Sequence, residues 1–126
     1  MITVTVKDKK ISMSGHACRK DSCGIDRACT AVSALTCNLI NSLRDLTGDR
    51  IRADTGSGMT VIEWENLSDG GKLLIDSWFL GLTDINREYN CIEFRQQAPE
   101  RVFLLCPKRE DKKSSGACRG ETEVET

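Results

Sequence analysis

With 126 residues, the chain is long enough for one hydrophobic core and too short for two. Hydrophobic residues make up 39% of the sequence and charged residues 29%, which is ordinary for a folded globular domain. The net charge of −1 excludes a general electrostatic attraction to nucleic acid or to anionic membranes. We therefore expect no direct nucleic-acid partner.

The hydrophobic segments and the cysteines indicate the cellular compartment in which the protein resides. No segment approaches the ~20 consecutive apolar residues of a membrane span, and the N-terminus lacks the apolar run of a signal peptide. We therefore expect a cytoplasmic protein with no membrane partner, in which the seven cysteines are reduced. An odd number of cysteines also argues against a complete disulfide framework.

The N-terminal residues predict two strands. Apolar and polar residues alternate from residue 2 to residue 7, which is the period of a half-buried strand. The alternation resumes from Ile11 to His16 after a polar turn, so the two strands are expected to form a hairpin. In this register, His16 leaves the second strand on the face opposite the apolar residues.

A long amphipathic helix is predicted after the hairpin. Residues 17–22 form a polar loop, and Gly24 is a candidate for a positive φ. Asp26 suits the N-cap position, which makes Cys29 the third helical residue, within the first turn. Apolar residues then recur at three- and four-residue steps to an end near residues 47–48. The predicted buried stripe comprises Ala28, Ala31, Val32, Leu35, Leu39, Leu43 and Leu46.

The second half of the chain predicts another helix between strands. The predicted elements are strands at 49–54, 60–65 and 91–95 and a helix from 69 to 90 with Leu74, Trp78, Leu82, Ile85 and Tyr89 on one stripe. A glycine-containing turn at 56–58 separates the first two of these strands. The apolar run at 102–105 is expected either to pair as an edge strand or to dock on the sheet.

Together these elements predict an α/β domain in the order β-β-α-β(β)-α-β, with a small, mainly antiparallel sheet and two amphipathic helices. We expect residues 1–107 to form this single domain. Residues 108–126 offer almost nothing to bury and are expected to be a disordered, charged tail.

The histidine and one cysteine stand out as candidate catalytic groups. His16 is the only histidine, and it lies 13 positions before Cys29, so contact between them requires the loop to fold back. An imidazolium and a helix N-terminus both favour a thiolate over a thiol, which makes Cys29 a candidate nucleophile. The plainer interpretation is a small buried apolar cysteine, the commonest fate of this residue.

A resemblance strengthens the catalytic interpretation. Gly15-His16-Ala17, followed by Gly24-x-Asp26-x-x-Cys29 and Ala31-Val32-Ser33-Ala34-Leu35, resembles the signature of the bacterial ribosomal-processing cysteine protease family, Prp. The similarity covers about the first three quarters of the chain. In this family the nucleophile and base correspond to Cys29 and His16. Gly15, Asp26 and Ser33 also match family positions, which implies supporting or substrate-binding roles.

The resemblance implies a function. Prp enzymes remove a short N-terminal extension from a large-subunit ribosomal protein by cutting after a Phe-Phe pair, act as homodimers, and need no cofactor. The resemblance also implies a mobile loop, here Ala17 to Cys23, that orders around the substrate, and the helix N-terminus is expected to donate N–H groups to the oxyanion. The segment between His16 and Cys29 is one residue longer than usual in the family and carries Cys18-Arg19-Lys20-Asp21.

Two other functions remain open from the sequence. His16, Cys18, Cys23 and Cys29 could together bind zinc, although their spacing is not that of the usual paired ligands. Alternatively, the chain could be a non-catalytic binding module associated with the ribosome, which would need no reactive thiol.

Overall fold

The computed structural model describes residues 1–56 and 58–97 of the chain. Its elements are β1 (Ile2–Lys7), β2 (Lys10–Gly15), α1 (Arg27–Asp45), β3 (Ile51–Gly56), β4 (Met59–Trp64), α2 (Asp69–Tyr89) and β5 (Ile92–Gln96). This order confirms the predicted α/β fold class. The short strand that the sequence suggested before the glycine turn is present as β3, and it extends to Gly56.

The five strands form one sheet in the order β3-β4-β2-β1-β5. The predicted hairpin pairs β1 with β2, with Val4 opposite Met13 and Val6 opposite Ile11. All neighbouring strands are antiparallel except β1 and β5, which are parallel. Helix α2 provides the crossover that brings the chain back beside β1 in this direction.

One face of the sheet carries the core. Ile2, Val4 and Val6 alternate along β1 and are buried together with the apolar residues of both helices. The intervening Thr3 and Thr5 are only half-buried. The domain therefore has two layers, with α1 and α2 packed against each other and against a single face of the sheet.

Helix α1 begins as predicted and buries most of the predicted stripe, including Ala28, Val32, Leu39 and Leu43. It ends at Asp45, and Leu46, predicted to be buried, is 76% exposed. Thr36 is instead buried between the helices, where it accepts a hydrogen bond from Nε1 of Trp78 at 3.1 Å and donates to the carbonyl of Val32 at 2.7 Å. The prediction for Leu46 was wrong because the helix had already ended.

Helix α2 has defined ends. Ser68 is its N-cap, and its hydroxyl accepts a hydrogen bond from the N–H of Gly71 at 3.0 Å. Asn90 ends the helix in the left-handed conformation with φ 49°, as predicted from its position. In the part of the chain that the structure describes, neither helix is long and apolar enough to cross a membrane. The predicted apolar run at 102–105, the domain end at residue 107 and the tail at 108–126 lie outside the described residues.

Candidate active site

Strand β2 ends at Gly15, and the backbone conformation of this glycine affects the direction of the next residue, His16. Gly15 has a φ of 98°, and a Cβ there would collide with the carbonyl oxygen of Met1. Glycine is required for both reasons. Because this positive φ interrupts the strand alternation, counting residues along β2 does not determine the direction of the His16 side chain.

The imidazole of His16 lies against the turn between β3 and β4. A Cβ built on Gly58 would be 3.2 Å from Nε2 of His16, so the ring packs over a position that has no side chain. The backbone holds the two segments together, because the N–H of Gly15 donates to the carbonyl of Gly58 at 3.0 Å. His16 itself is exposed.

Cys29 occupies the first turn of α1, as predicted. Asp26 is the N-cap, and its Oδ1 accepts a hydrogen bond from the N–H of Cys29 at 3.0 Å. The thiol is half-buried. The loop folds back onto it, so that the N–H of Ala17 donates to Sγ of Cys29 at 3.2 Å. The residue directly after His16 therefore touches the sulfur.

This contact limits the separation of the two candidate catalytic groups. The Cα of His16 is about 2.4 Å from the nitrogen of Ala17 by covalent geometry, so it lies within about 6 Å of the Cys29 sulfur. Within residues 1–56 and 58–97, no hydrogen bond joins the imidazole to the thiol. Catalytic hydrogen bonds of this kind often form only when substrate binds.

Asp26 connects the loop to the helix. Besides capping Cys29, its Oδ2 accepts a hydrogen bond from the N–H of Arg19 at 2.9 Å. The hydrogen bonds from the backbone of Arg19 and then of Cys29 hold the pKa of the Asp26 carboxyl below its usual value. The carboxylate is therefore ionised at neutral pH and fixes the start of α1 and the loop at the same time.

The other candidate residues differ in their surroundings. Ser33 lies one turn after Cys29 in α1 and is exposed. Cys18 and Cys23 are also exposed on the loop. Across the described part of the chain, no three potential metal ligands are grouped closely enough to hold an ion, so the four residues of the zinc hypothesis are not gathered into one site.

Two further cysteines in the described part of the chain lie in environments that differ from that of Cys29. Cys91 is fully buried, and burial raises the pKa of its thiol. Cys37 is exposed two turns after Cys29 on the same helix. Among the cysteines that the structure describes, only Cys29 combines partial exposure with a place in the first turn of α1.

Sequence reasoning missed two contributors to this region. The turn at Gly58 was predicted only as a turn, because nothing local indicates that it meets His16. Arg19 was noted only as a change in the loop, but its guanidinium donates to the carbonyls of Tyr89 at 2.9 Å and Asn90 at 2.7 Å. A cation in a loop has no sequence signal that identifies a distant helix end as its partner.

The fold and this arrangement have counterparts among known proteins. The model for the cysteine protease Prp family matches residues 1–92. A search of curated proteins found no match. The essential ribosomal processing protease Prp from S. aureus, in complex with a covalently linked product peptide, has a similar structure, with a TM-score of 0.69 and 28% identity over 77% of this chain and 100% of that chain.

Two more solved structures share the fold at lower identity. The S. aureus Prp protease in complex with a substrate peptide has a TM-score of 0.64 and 24% identity, over 76% of this chain and 97% of that chain. A Streptococcus mutans protein has a TM-score of 0.61 and 21% identity, over 77% of this chain and 96% of that chain. These two similarities concern the fold alone.

A half-buried thiol in the first turn of a helix, with a histidine on the adjoining segment, is an arrangement typical of cysteine-dependent hydrolases. With the family match over residues 1–92, the class is that of a cysteine protease. The chain belongs to the cysteine protease Prp family. This confirms the resemblance found in the sequence motif.

Proposed function

We propose that this chain removes the N-terminal extension of a large-subunit ribosomal protein by cutting after a Phe-Phe pair. Membership of the Prp family supports this, as does the name of the S. aureus relative, a ribosomal processing protease with a covalently linked product peptide. Cys29 is the proposed nucleophile and His16 the proposed acid and base. The observation that carries this assignment is the 3.2 Å hydrogen bond from Ala17 to the Cys29 sulfur.

The proposed reaction has two stages. His16 takes the proton of the Cys29 thiol, and the thiolate attacks the carbonyl carbon of the scissile peptide. The imidazolium gives that proton to the leaving nitrogen as the C–N bond breaks, which leaves a thioester on Cys29. His16 then takes a proton from water, whose oxygen attacks the thioester. The C–S bond breaks, and the imidazolium returns the proton to the sulfur.

Supporting residues have proposed roles that follow from their contacts. Asp26 holds both the start of α1 and the loop through its ionised carboxylate. Gly15 allows β2 to end in close contact with the N-terminal backbone, and its positive φ directs the chain so that His16 lies at the site. Ser33, exposed one turn after Cys29, is proposed to hydrogen-bond the substrate.

The wider setting is also part of the proposal. As in the bacterial family, we propose a cytoplasmic homodimer that acts without a cofactor. Residues 1–107 are taken as the protease domain and 108–126 as a tail that the reaction does not use. The family match over residues 1–92 supports the first of these boundaries in part.

A cleavage assay tests the function. Purified protein is incubated in reducing buffer with a synthetic peptide that spans a Phe-Phe junction, and the products are identified by mass spectrometry. The wild type is expected to cut after the second phenylalanine, and Cys29→Ala and His16→Ala to be at least about a thousandfold slower. The matched control, Cys37→Ala, removes an exposed thiol from the same helix and should keep wild-type activity within about twofold. An intact peptide with the wild type would contradict the proposal.

A further inference from the structure

The backbone N–H groups around the Cys29 sulfur are not equally available to a substrate. The N–H of Cys29 donates to Oδ1 of Asp26 at 3.0 Å, and that carboxylate is ionised. The N–H of Thr30 is bonded to the carbonyl of Asp26 at 3.1 Å. Hydrogen bonds to a carboxylate are strong, so the first turn of α1 does not readily release the Cys29 donor. The expectation that the helix N-terminus serves the oxyanion therefore loses one of its donors.

The loop supplies a different donor. The N–H of Ala17 points at the sulfur itself, at 3.2 Å, and Ala17 is fully buried. A fixed N–H directed at the sulfur stabilises the thiolate, which is the form of Cys29 that attacks the substrate carbonyl.

Arg19 fixes the position of this donor. Its Nε donates to the carbonyl of Tyr89 at 2.9 Å and its Nη2 to that of Asn90 at 2.7 Å, at the C-terminal end of α2. Carbonyls there carry partial negative charge, which favours a guanidinium. Its Nη1 donates back to the carbonyls of Ala17 at 3.3 Å and Cys18 at 3.2 Å. One side chain therefore ties the loop backbone at residue 17 to a helix end about 70 positions away in sequence.

We propose that Arg19 is a positioning residue that holds the peptide N–H of Ala17 against the Cys29 sulfur, where this N–H stabilises the thiolate. The proposal rests on the proposed function in taking Cys29 as the nucleophile. Arginine is suited to this role because its planar group reaches two carbonyls of the helix end and two of the loop at once. A lysine can supply the charge but not this set of parallel bonds.

The first experiment compares Arg19→Ala and Arg19→Lys with Lys20→Ala, which removes the neighbouring exposed cation of the same loop. Peptide cleavage gives kcat and KM. Alkylation of Cys29 by iodoacetamide at neutral pH is followed by mass spectrometry of the peptide that contains it. In Arg19→Ala, kcat is expected to fall by about ten- to a hundredfold with KM unchanged within about twofold, and alkylation to slow by about threefold or more. Arg19→Lys should recover part of both losses, and Lys20→Ala should match the wild type.

A second experiment removes the donor itself. Ala17→Pro lacks the N–H, whereas Ala17→Gly keeps it, and circular dichroism checks that each variant folds. We expect a kcat about a hundredfold lower for the proline variant than for the glycine variant. If Ala17→Pro does not fold, the Arg19 variants decide the question alone.

Three outcomes would overturn the proposal: a wild-type kcat in Arg19→Ala, a loss confined to KM, or an unchanged alkylation rate. A loss confined to KM would mean that Arg19 contacts substrate. The alkylation arm needs no peptide substrate, so the proposal about Arg19 can fail while the protease function stands. Conversely, slower alkylation in Arg19→Ala would support the role of Arg19 in placing the Ala17 N–H against the thiol, even if the Phe-Phe peptide proved to be the wrong substrate.

Discussion

Cys29 and Cys91 show how position separates two thiols of one chain. Cys91 has no exposed surface, and burial raises the pKa of its thiol, so it stays protonated and unreactive. Cys29 is half-buried, and its sulfur accepts a hydrogen bond from the N–H of Ala17. Its place in the first turn follows from the N-cap at Asp26, three residues earlier. The residue type alone therefore says little about the reactivity of a cysteine, whereas its spacing from the N-cap is informative.

Gly58 is expected to determine the position of the His16 imidazole. A methyl group at Gly58 would be 3.2 Å from Nε2 of His16, a distance at which the ring has to move. We expect Gly58→Ala to lower kcat/KM by about tenfold or more, because the added methyl group shifts the position from which the imidazole of His16 turns to the thiol. The cleavage assay measures this directly.

Backbone strain needs its own control, because Gly58 has a φ of 72°. Gly48 has a closely similar φ of 69°, and a Cβ there would meet nothing within 4 Å. Gly48→Ala should therefore cost a similar amount of stability, about 1 kcal/mol, and leave kcat/KM unchanged. Equal losses of activity in both variants would show that strain, and not the contact with His16, is responsible.

The site was predictable from the sequence only where its geometry is local. Asp26 and Cys29 are three residues apart, and a helix N-terminus fixes their relation through the cap. The meeting of His16 with Gly58 depends on the pairing of β2 with β4, and that of Arg19 with α2 depends on the packing of the whole domain. Neither contact has a signal in the residues that make it.

At the scale of the elements, Asp49 ties the end of α1 to the start of α2. Its carboxylate accepts hydrogen bonds from the hydroxyls of Thr47 at 2.6 Å and Ser68 at 2.8 Å, and from the N–H of Ser68 at 3.0 Å. A Cβ at Gly71 would collide with this carboxylate. The N-cap of α2 is thus held by a residue from the connection between α1 and β3.

Replacement of this carboxylate is expected to weaken the fold. Burial disfavours ionisation of Asp49, but the hydrogen bonds from Thr47 and Ser68 outweigh it, so the pKa of the carboxyl lies below its usual value. Asp49→Asn should lower the free energy of unfolding by about 1–2 kcal/mol at pH 7, measured by urea denaturation.

The pH dependence of this effect has a definite sign. Because the pKa of Asp49 is lower in the folded state, its contribution is complete above the unfolded value, near pH 4, and is lost as the pH falls through the folded value. The difference between the wild type and Asp49→Asn should therefore shrink in acid. Asp54→Asn, which changes an exposed carboxylate of β3, should leave stability unchanged within about 0.5 kcal/mol. A difference that grew below pH 4 would contradict this account.

The helices show what hydrophobic periodicity can and cannot predict. The stripes identified both helices, and Asn90 marked the end of α2 correctly. The stripe for α1 was extended to Leu46 because leucine continues the spacing, although the chain leaves the helix at Asp45. Thr36 was missed because its burial depends on a hydrogen bond from Trp78 in the other helix.

At the scale of the whole molecule, the site is assembled from segments that are distant in sequence. The end of β2, the first turn of α1, the end of α2 and the β3–β4 turn meet in one region. The alternating patterns predicted the strands and the antiparallel hairpin. The parallel pairing of β1 with β5 was beyond their reach, because it depends on how α2 crosses the sheet. This pairing brings the end of α2 to the loop that carries Arg19.

The mass of the enzyme during turnover shows directly whether Cys29 is the nucleophile. A reaction with the Phe-Phe peptide is quenched in acid within its first turnovers, digested and analysed by mass spectrometry. We expect the N-terminal part of the substrate to be attached through a thioester to the peptide that contains Cys29, and Cys29→Ala to carry no such adduct. Continued cleavage without any adduct on Cys29, or an adduct on another cysteine, would contradict this assignment.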